Sequence, residues 1–216
     1  MNLLPHEICL LSAAVVACLT LGSLHLRVNL ALFSFQTILI AVATAIIGHI
    51  TGDRELYVIA LVICVFKALA VPHFLSWIGE KLTSPRDQGL FLPAPLSMHL
   101  CLVLFVLSFA LARELPTSQA AGHSWLGAAA GISLLLSGLI LMLTRRLAIS
   151  QVVGFLVIEN GIYSIALTQT RGMPLMVEMG ILLDLLVAVM VAGMLIFKIQ
   201  KSFEHIDIGQ LTDLRD

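Results

Sequence analysis

Seven long apolar runs constrain what this 216-residue chain can fold into. Each run is long enough to cross about 30 Å of hydrocarbon as a helix that rises about 1.5 Å per residue. The composition agrees, because 12% of the residues are charged, whereas soluble domains average about 25%. A helix also satisfies its own backbone hydrogen bonds in lipid. We therefore predict an all-α, polytopic membrane protein with spans at roughly 6–24, 29–50, 56–79, 95–112, 125–143, 147–169 and 174–197.

The lysines and arginines between these spans predict the orientation. The face expected to be cytoplasmic carries the larger group, Arg27, Lys81, Arg86, Arg145, Arg146, Lys198, Lys201 and Arg215. The opposite face carries Arg54, Arg113 and Arg171. Cytoplasmic loops are enriched in positive charge, so we expect the N-terminus outside and the C-terminus in the cytoplasm. The first run has no basic segment before it, which favours a retained span over a cleaved signal peptide.

A polar loop divides the chain into two predicted parts. The segment "RELPTSQAAGHS" at 113–124 separates a four-helix N-terminal part, 1–116, from a three-helix part with a short cytoplasmic tail, 117–216. Small residues let membrane helices approach closely. We therefore expect tight packing in the second part at its glycines, which are Gly127, Gly131 and Gly138 in the fifth span and Gly154 and Gly161 in the sixth.

Several classes of function find no support in the sequence. The four cysteines lie in spans without a Cys-x-x-Cys pair, and we interpret them as small buried hydrophobic residues: Cys9, Cys18, Cys64 and Cys101. No zinc or iron–sulfur spacing occurs, and there is no nucleophile–base pair or glycine-rich phosphate loop. A net charge of −1 does not favour nucleic-acid binding. We predict a chain that is not an enzyme by itself and carries no cofactor or metal.

Charged side chains inside the spans are the main functional signal. Each costs on the order of 2.5–3.5 kcal/mol at a helix centre, and such residues often mark ion pathways. They are Lys67, Glu159, Glu178 and Asp184. Glu159 and Asp184 lie about 16 Å and about 15 Å from the same membrane edge on consecutive helices. Glu178 lies about 6 Å from that edge and is turned about 120° away from Asp184, so either could be the counterpart of Glu159.

The segment that begins at Lys67 has a second group of candidates. Lys67 lies near the membrane midplane, and Pro72 should kink the helix and release the carbonyl of Ala68. Histidine is the residue type most often used to exchange protons near neutral pH, so with His73 the segment could handle protons. Alternatively, Lys67 simply pairs with a carboxylate and holds helices together. Polar residues that could line a path, or only link helices by hydrogen bonds, are Gln36, Thr37, Gln151, Asn160 and Tyr163.

The last three spans resemble the small K subunit of bacterial complex I. The stretch "RRLAISQVVGFLVIEN" at 145–160 is similar to its Arg-Arg turn, glycine, buried glutamate and asparagine. The stretches "VEMGILLDLLVAVMVAGMLIFKIQK" and "HIDIGQLTDLRD" resemble its third helix and its tail. The family's carboxylate lies where Leu156 stands here, and Glu159 follows three residues later, near one helical turn. Glu159 should therefore point to much the same side at a shifted depth.

Over its whole length the chain is similar to the hydrogenase-4 component E family. The spacing of Lys67 and Pro72 is typical of that family, and Lys67, Pro72, His73 and Trp77 also resemble a segment of antiporter-like complex I subunits. The resemblance implies a multi-pass protein of the inner membrane, in the membrane arm of a group 4 NiFe hydrogenase such as formate hydrogenlyase. It implies antiporter-like and subunit-1-like partners, and indirectly peripheral iron–sulfur and NiFe subunits.

Three hypotheses about function follow. In the first, the chain is a non-catalytic subunit in which Glu159 and Asp184 relay a proton or sodium ion, with Glu178 near the outer mouth and Lys67 adjusting the charge of a neighbouring carboxylate. A carboxyl group in a poorly hydrated site can exchange protons near neutral pH. In the second, the chain is a scaffold that docks antiporter-like subunits. In the third, it is a free-standing transporter or belongs to a related complex I-like or cation-antiporter assembly.

Overall fold

The computed structural model describes residues 3–80, 93–114 and 125–169, together with residue 180. This part of the chain is helical and contains no strand. Six helices in it are long and apolar enough to cross a membrane. They are α1 (Pro5–Gly22), α2 (Leu26–Thr51), α3 (Glu55–Glu80), α4 (Ala94–Arg113), α5 (Trp125–Thr144) and α6 (Ala148–Gln169).

The all-helical membrane architecture predicted from the sequence is confirmed. Each of the first six predicted spans coincides with a helix, and the largest difference at a boundary is the start of α2, at Leu26 and not at 29. The seventh predicted span, 174–197, lies outside the described residues except for Gly180. The count of seven spans and the orientation in the membrane stay predictions.

One end of the bundle, which we call the Arg145 end, contains the last residues of α1, the first residues of α2, the last residues of α3 and the turn between α5 and α6. There the Arg145 guanidinium reaches the carbonyl of Leu21 at the end of α1. At the same end Arg27, near the start of α2, forms an exposed 3.3 Å ion pair with Glu80, the last residue of α3. Because successive helices run antiparallel, Arg54 lies at the opposite end of the bundle. The predicted orientation likewise assigns Arg27 and Arg54 to opposite faces of the membrane.

The α5–α6 hairpin is held together by direct backbone approach at glycines. A Cβ atom added to Gly161 would lie 2.6 Å from the backbone nitrogen of Leu135. One added to Gly138 would lie 2.6 Å from the carbonyl oxygen of Gly154. No real Cβ contact is that short, so any larger residue would force the two helices apart. The predicted role of these glycines in close packing is confirmed.

One hydrophobic core crosses the division predicted at 116/117. The buried cluster joins Leu10 of α1 and Phe33 of α2 with Leu134 of α5 and Val153 of α6. Helix α1 packs against α2, α4 and α5. The first six spans therefore share a core, and the division into two parts stays a prediction about organisation.

Helix α3 changes its hydrogen-bond pattern just before its proline. Residues Ile63–Ala70 are π-helical, and the N–H of Val71 donates to the carbonyl of Phe66, five residues earlier. Pro72 has no N–H to offer its own i−4 carbonyl, and a local π adjustment is a known way for a membrane helix to satisfy the backbone near proline. The kink at Pro72 and the release of the Ala68 carbonyl stay predictions, and the helix continues to Glu80.

Candidate functional site

A charged pair lies buried in the middle of the helix bundle. Lys67 Nζ and Glu159 Oε1 are 3.0 Å apart, and only 9% and 8% of these two side chains is exposed. Glu159 lies about 16 Å along α6 from its start, so the pair is about halfway across the span. The sequence selects both residues as candidates, and the structure brings them into direct contact.

The two residues are positioned by helices that both pack on α2. The π-helical segment of α3 buries Ile63, Lys67 and Ala68, and this segment contacts α2. Helix α6 also contacts α2 and buries Glu159. The Lys67 side chain thus reaches a carboxylate on a helix that comes about ninety residues later in the sequence. π-helical turns within α-helices occur frequently at functional sites.

A band of polar side chains continues from the pair along the α2–α6 interface. Asn160, next to Glu159, donates from Nδ2 to Thr37 Oγ1 at 3.0 Å. One turn further along α6, the Tyr163 hydroxyl lies 3.0 Å from Thr44 Oγ1. Hydroxyl groups both donate and accept hydrogen bonds. These contacts join α2 to α6 and place hydroxyl and amide groups on the same helix interface as Glu159.

Two predicted lining residues have different surroundings. Gln36, beside Thr37 on α2, is completely buried, and neither atom of its amide has a hydrogen-bond partner among the described residues. Gln151 lies at the Arg145 end, where its Nε2 donates to the Arg145 carbonyl at 2.9 Å. Gln36 is therefore a buried polar side chain next to Thr37, whereas Gln151 stabilises the α5–α6 turn.

The remaining predicted site residues are not part of this pair. His73 is exposed on the outer surface of α3, although it lies only six residues after Lys67. Glu178 and Asp184 lie outside the described residues. Gly180, four residues before Asp184 in the sequence, does lie against the pair: a Cβ atom on it would be 3.0 Å from Glu159 Oε1. Chain beyond α6 therefore contacts the buried carboxylate.

Comparison with known proteins places this chain in a family. Uncharacterized protein Rv0085 of Mycobacterium tuberculosis (strain ATCC 25618 / H37Rv) is 30% identical to it over 192 residues, which is 88% of this chain and 87% of that protein. This chain belongs to the family of that protein. Hydrogenase-4 component E of Escherichia coli (strain K12) is 24% identical over 191 residues, again 88% of this chain and 87% of the relative.

Hydrogenase-4 component E of Shigella flexneri is similar to the same extent. No family profile and no solved structure matches the chain. The relationship to a hydrogenase component and the six membrane-crossing helices are compatible with a membrane subunit of a larger oxidoreductase complex. Among the described residues, no group of three or more His, Cys, Asp or Glu side chains could hold a metal ion.

The sequence did not reveal the role of Arg145, which it predicted only as a positive charge in a turn. The residue is almost completely buried, and its Nη2 atom donates to the carbonyls of Thr20, Leu21 and Ser23 at 3.3, 2.9 and 2.8 Å. The last carbonyls of a helix lack partners inside the helix, and a positive charge there is favourable. No local pattern could have shown that Arg145 caps a helix that ends over 120 residues earlier.

The sequence also predicted the surroundings of only some of the four cysteines. Cys9 and Cys64 are half-buried within their helices, in agreement with small apolar packing residues. Cys18 and Cys101 are instead brought together, with their sulfur atoms 2.7 Å apart. They lie on α1 and α4, so the spacing of the cysteines in the sequence does not predict this contact.

Proposed function

We propose that this chain is a non-catalytic subunit in the membrane arm of a group 4 NiFe hydrogenase complex of the formate hydrogenlyase type. Its role would be to provide Glu159 as a site on a proton (or sodium) path that is coupled to electron transfer in other subunits. The likeness to hydrogenase-4 component E supports membership of such a complex. The buried Lys67–Glu159 pair is the observation that carries the proposed role.

The pair supports transfer because each charge stabilises the other in a buried site. Removing one partner of a buried ion pair costs about 3–5 kcal/mol. Movement of the Lys67 ammonium away from Glu159 would therefore favour uptake of a proton by the carboxylate, and its return would favour release. A lysine on a π-helical segment can shift with a change in local hydrogen bonding. Lys67 would thus set the charge state of Glu159.

The neighbouring groups provide routes to and from this site. The hydroxyl and amide groups of Asn160, Thr37, Thr44 and Tyr163 would lead from the pair toward the end of the bundle opposite Arg145. Asp184 would be the second carboxylate of the relay, and Glu178 would lie near its outer mouth. His73, exposed on α3, would exchange protons with an antiporter-like subunit packed on that surface.

The alternative is a structural scaffold, in which the same pair only fixes α3 against α6. A charge reversal separates the two hypotheses. Lys67→Glu combined with Glu159→Lys keeps an ion pair but exchanges its polarity. The scaffold hypothesis predicts wild-type ion movement once the complex assembles. The relay hypothesis predicts that the complex assembles while coupled ion movement stays low, because the carboxylate no longer lies on α6.

The main test is Glu159→Gln in the complete complex, purified through a tag on this chain and reconstituted into sealed vesicles. We expect the NiFe and iron–sulfur subunits to copurify, and coupled ion movement to fall by at least about tenfold, since a positioned proton-transfer group contributes about 10²–10⁴-fold. Glu80→Gln is the matched control, because it breaks the exposed pair with Arg27 at the end of the bundle. An intact complex with unchanged ion movement would rule out the relay.

Membership of the complex has a separate outcome. Recovery of this chain alone from native membranes, without subunits that contain nickel or iron–sulfur clusters, would favour a free-standing transporter. Recovery with antiporter-like subunits but no hydrogenase activity would favour a related complex I-like or cation-antiporter assembly. Hydrogen-linked turnover of the purified material distinguishes these cases.

A further inference from the structure

Two cysteines and a serine from three different helices form a buried cluster, which we call the thiol cluster. It consists of Cys18 on α1, Cys101 on α4 and Ser137 on α5. The two sulfur atoms are 2.7 Å apart, and Ser137 Oγ lies 3.1 Å from Cys101 Sγ and 4.0 Å from Cys18 Sγ. Cys18 is 7% exposed and Cys101 is fully buried. None of these residues belongs to the Lys67–Glu159 pair or to its polar band.

The helices hold the two sulfur atoms within bonding reach. Unbonded heavy atoms normally approach to about 3.5–4.0 Å, and the two sulfur atoms are closer than that. Helices α1 and α4 pack directly against each other, so neither helix has to move for the side chains to meet. The residues are separated by 83 positions in the sequence. Their contact is therefore a product of the fold, and a bond between them would join two separate spans.

Ser137 orients one of the two thiols. Its hydroxyl donates to the Ser133 carbonyl at 2.7 Å, which leaves the lone pairs of its oxygen to accept a hydrogen bond from the Cys101 thiol. With its hydrogen directed at Ser137, Cys101 turns the lone pairs of its sulfur toward Cys18. This is the arrangement that a second sulfur atom requires for exchange.

We propose that Cys18 and Cys101 are a reversible dithiol–disulfide pair that ties α4 to α1 within the membrane. Cys18 lies about 6 Å from the end of α1 at Gly22, at the Arg145 end. The predicted orientation places this end on the cytoplasmic side, where thiols are kept reduced and disulfides are mostly transient or redox-sensing. Helix α4 is the least buried of the six described spans. Oxidation would therefore add a covalent link between a peripheral helix and the core, and reduction would remove that link.

The oxidant in this proposal is a small-molecule disulfide, and the reaction is thiol–disulfide exchange. The Cys18 thiolate attacks one sulfur of the oxidant, forms a mixed disulfide and displaces the first thiolate, which takes up the proton lost by Cys18. The Cys101 thiolate then attacks the Cys18 sulfur and displaces the second thiolate, which takes up the proton lost by Cys101. The two cysteines lose two electrons together, and the oxidant is reduced to two thiols.

The test uses the purified full chain in detergent and 4,4′-dipyridyl disulfide as the probe. We expect one internal disulfide to form, with two pyridinethione molecules released from the thiol cluster, and with a Cys18–Cys101 linked peptide in the mass spectrum of a non-reduced digest. Dithiothreitol should restore both thiols. Cys18→Ser and Cys101→Ser should each stop at a mixed disulfide on the remaining cysteine of the pair, with one pyridinethione released from that site.

The double variant Cys9→Ser, Cys64→Ser is the matched control, because it keeps the thiol cluster and removes the two other cysteines. It should form the same internal disulfide as the wild type. The linked peptide is measured in the wild-type protein, so the test does not depend on whether a variant folds. Four separate pyridyl adducts, or four thiols that remain unmodified before denaturation and no linked peptide, would overturn the proposal.

Discussion

Replacing either member of the Lys67–Glu159 pair alone should destabilise the protein. At the observed separation of 3.0 Å and an effective dielectric constant of about 20, the attraction is about 5.5 kcal/mol. Lys67→Met and Glu159→Gln each remove this attraction. Each also leaves one charged group in a site where the wild-type side chains are less than a tenth exposed.

Removing one partner of a buried ion pair costs about 3–5 kcal/mol. We therefore expect each single replacement to lower the free energy of unfolding by about this amount. The measurement is reversible unfolding of the full chain in mixed micelles, followed by circular dichroism at pH 7.

The double variant and an exposed pair complete this experiment. Lys67→Met with Glu159→Gln removes both charges of the pair, so it should lose less stability than either single change. Arg27→Gln with Glu80→Gln breaks a pair whose side chains are 77% and 59% exposed, and it should cost less than about 1 kcal/mol. Single replacements that each cost under about 1 kcal/mol would refute the argument that the pair is shielded from water.

Two further predictions concern the packing of the bundle and are tested by the same unfolding measurement. Gly161→Ala should lower the free energy of unfolding by about 1–3 kcal/mol through overpacking, because its Cβ would meet the backbone nitrogen of Leu135. Gly22→Ala should be close to neutral, because its Cβ would meet only the flexible Met98 side chain. Equal losses for the two variants would contradict this explanation. Arg145→Leu should lower the free energy of unfolding by about 3 kcal/mol, since the Arg145 guanidinium donates to carbonyls at the end of α1. Arg146 is exposed, so Arg146→Leu should cost far less. A similar loss from both variants would show that the capping of α1 by Arg145 is not the cause.

The helices were accessible from the sequence because their length and apolar composition are local properties. A run such as 125–143 must be a helix in lipid whatever surrounds it, and α5 is found at Trp125–Thr144. Glu159 and Lys67 could be selected for a similar reason. A charge in a span is costly wherever the span packs, so its presence alone indicates a partner or a path.

The identity of each partner was not accessible. Lys67 could have met any carboxylate at its depth, and Arg145 was interpreted as a loop charge. Because these spans are apolar on nearly every side, the helical period does not indicate which face of a helix points inward. His73 illustrates this, since it lies on the same helix as Lys67 and is exposed while Lys67 is buried.

The sequence by itself thus determined that this is a membrane protein, where its first six helices lie, and which charged side chains within the spans need a partner or a path. Only the tertiary structure decided that Lys67 faces Glu159, that Arg145 caps α1 across 124 positions, and that Cys18 touches Cys101 across 83. The physical reason is one of range. Transfer into lipid and backbone hydrogen bonding act on each segment separately, whereas pairing depends on which helices pack together, and in lipid that is decided by the shape of their surfaces.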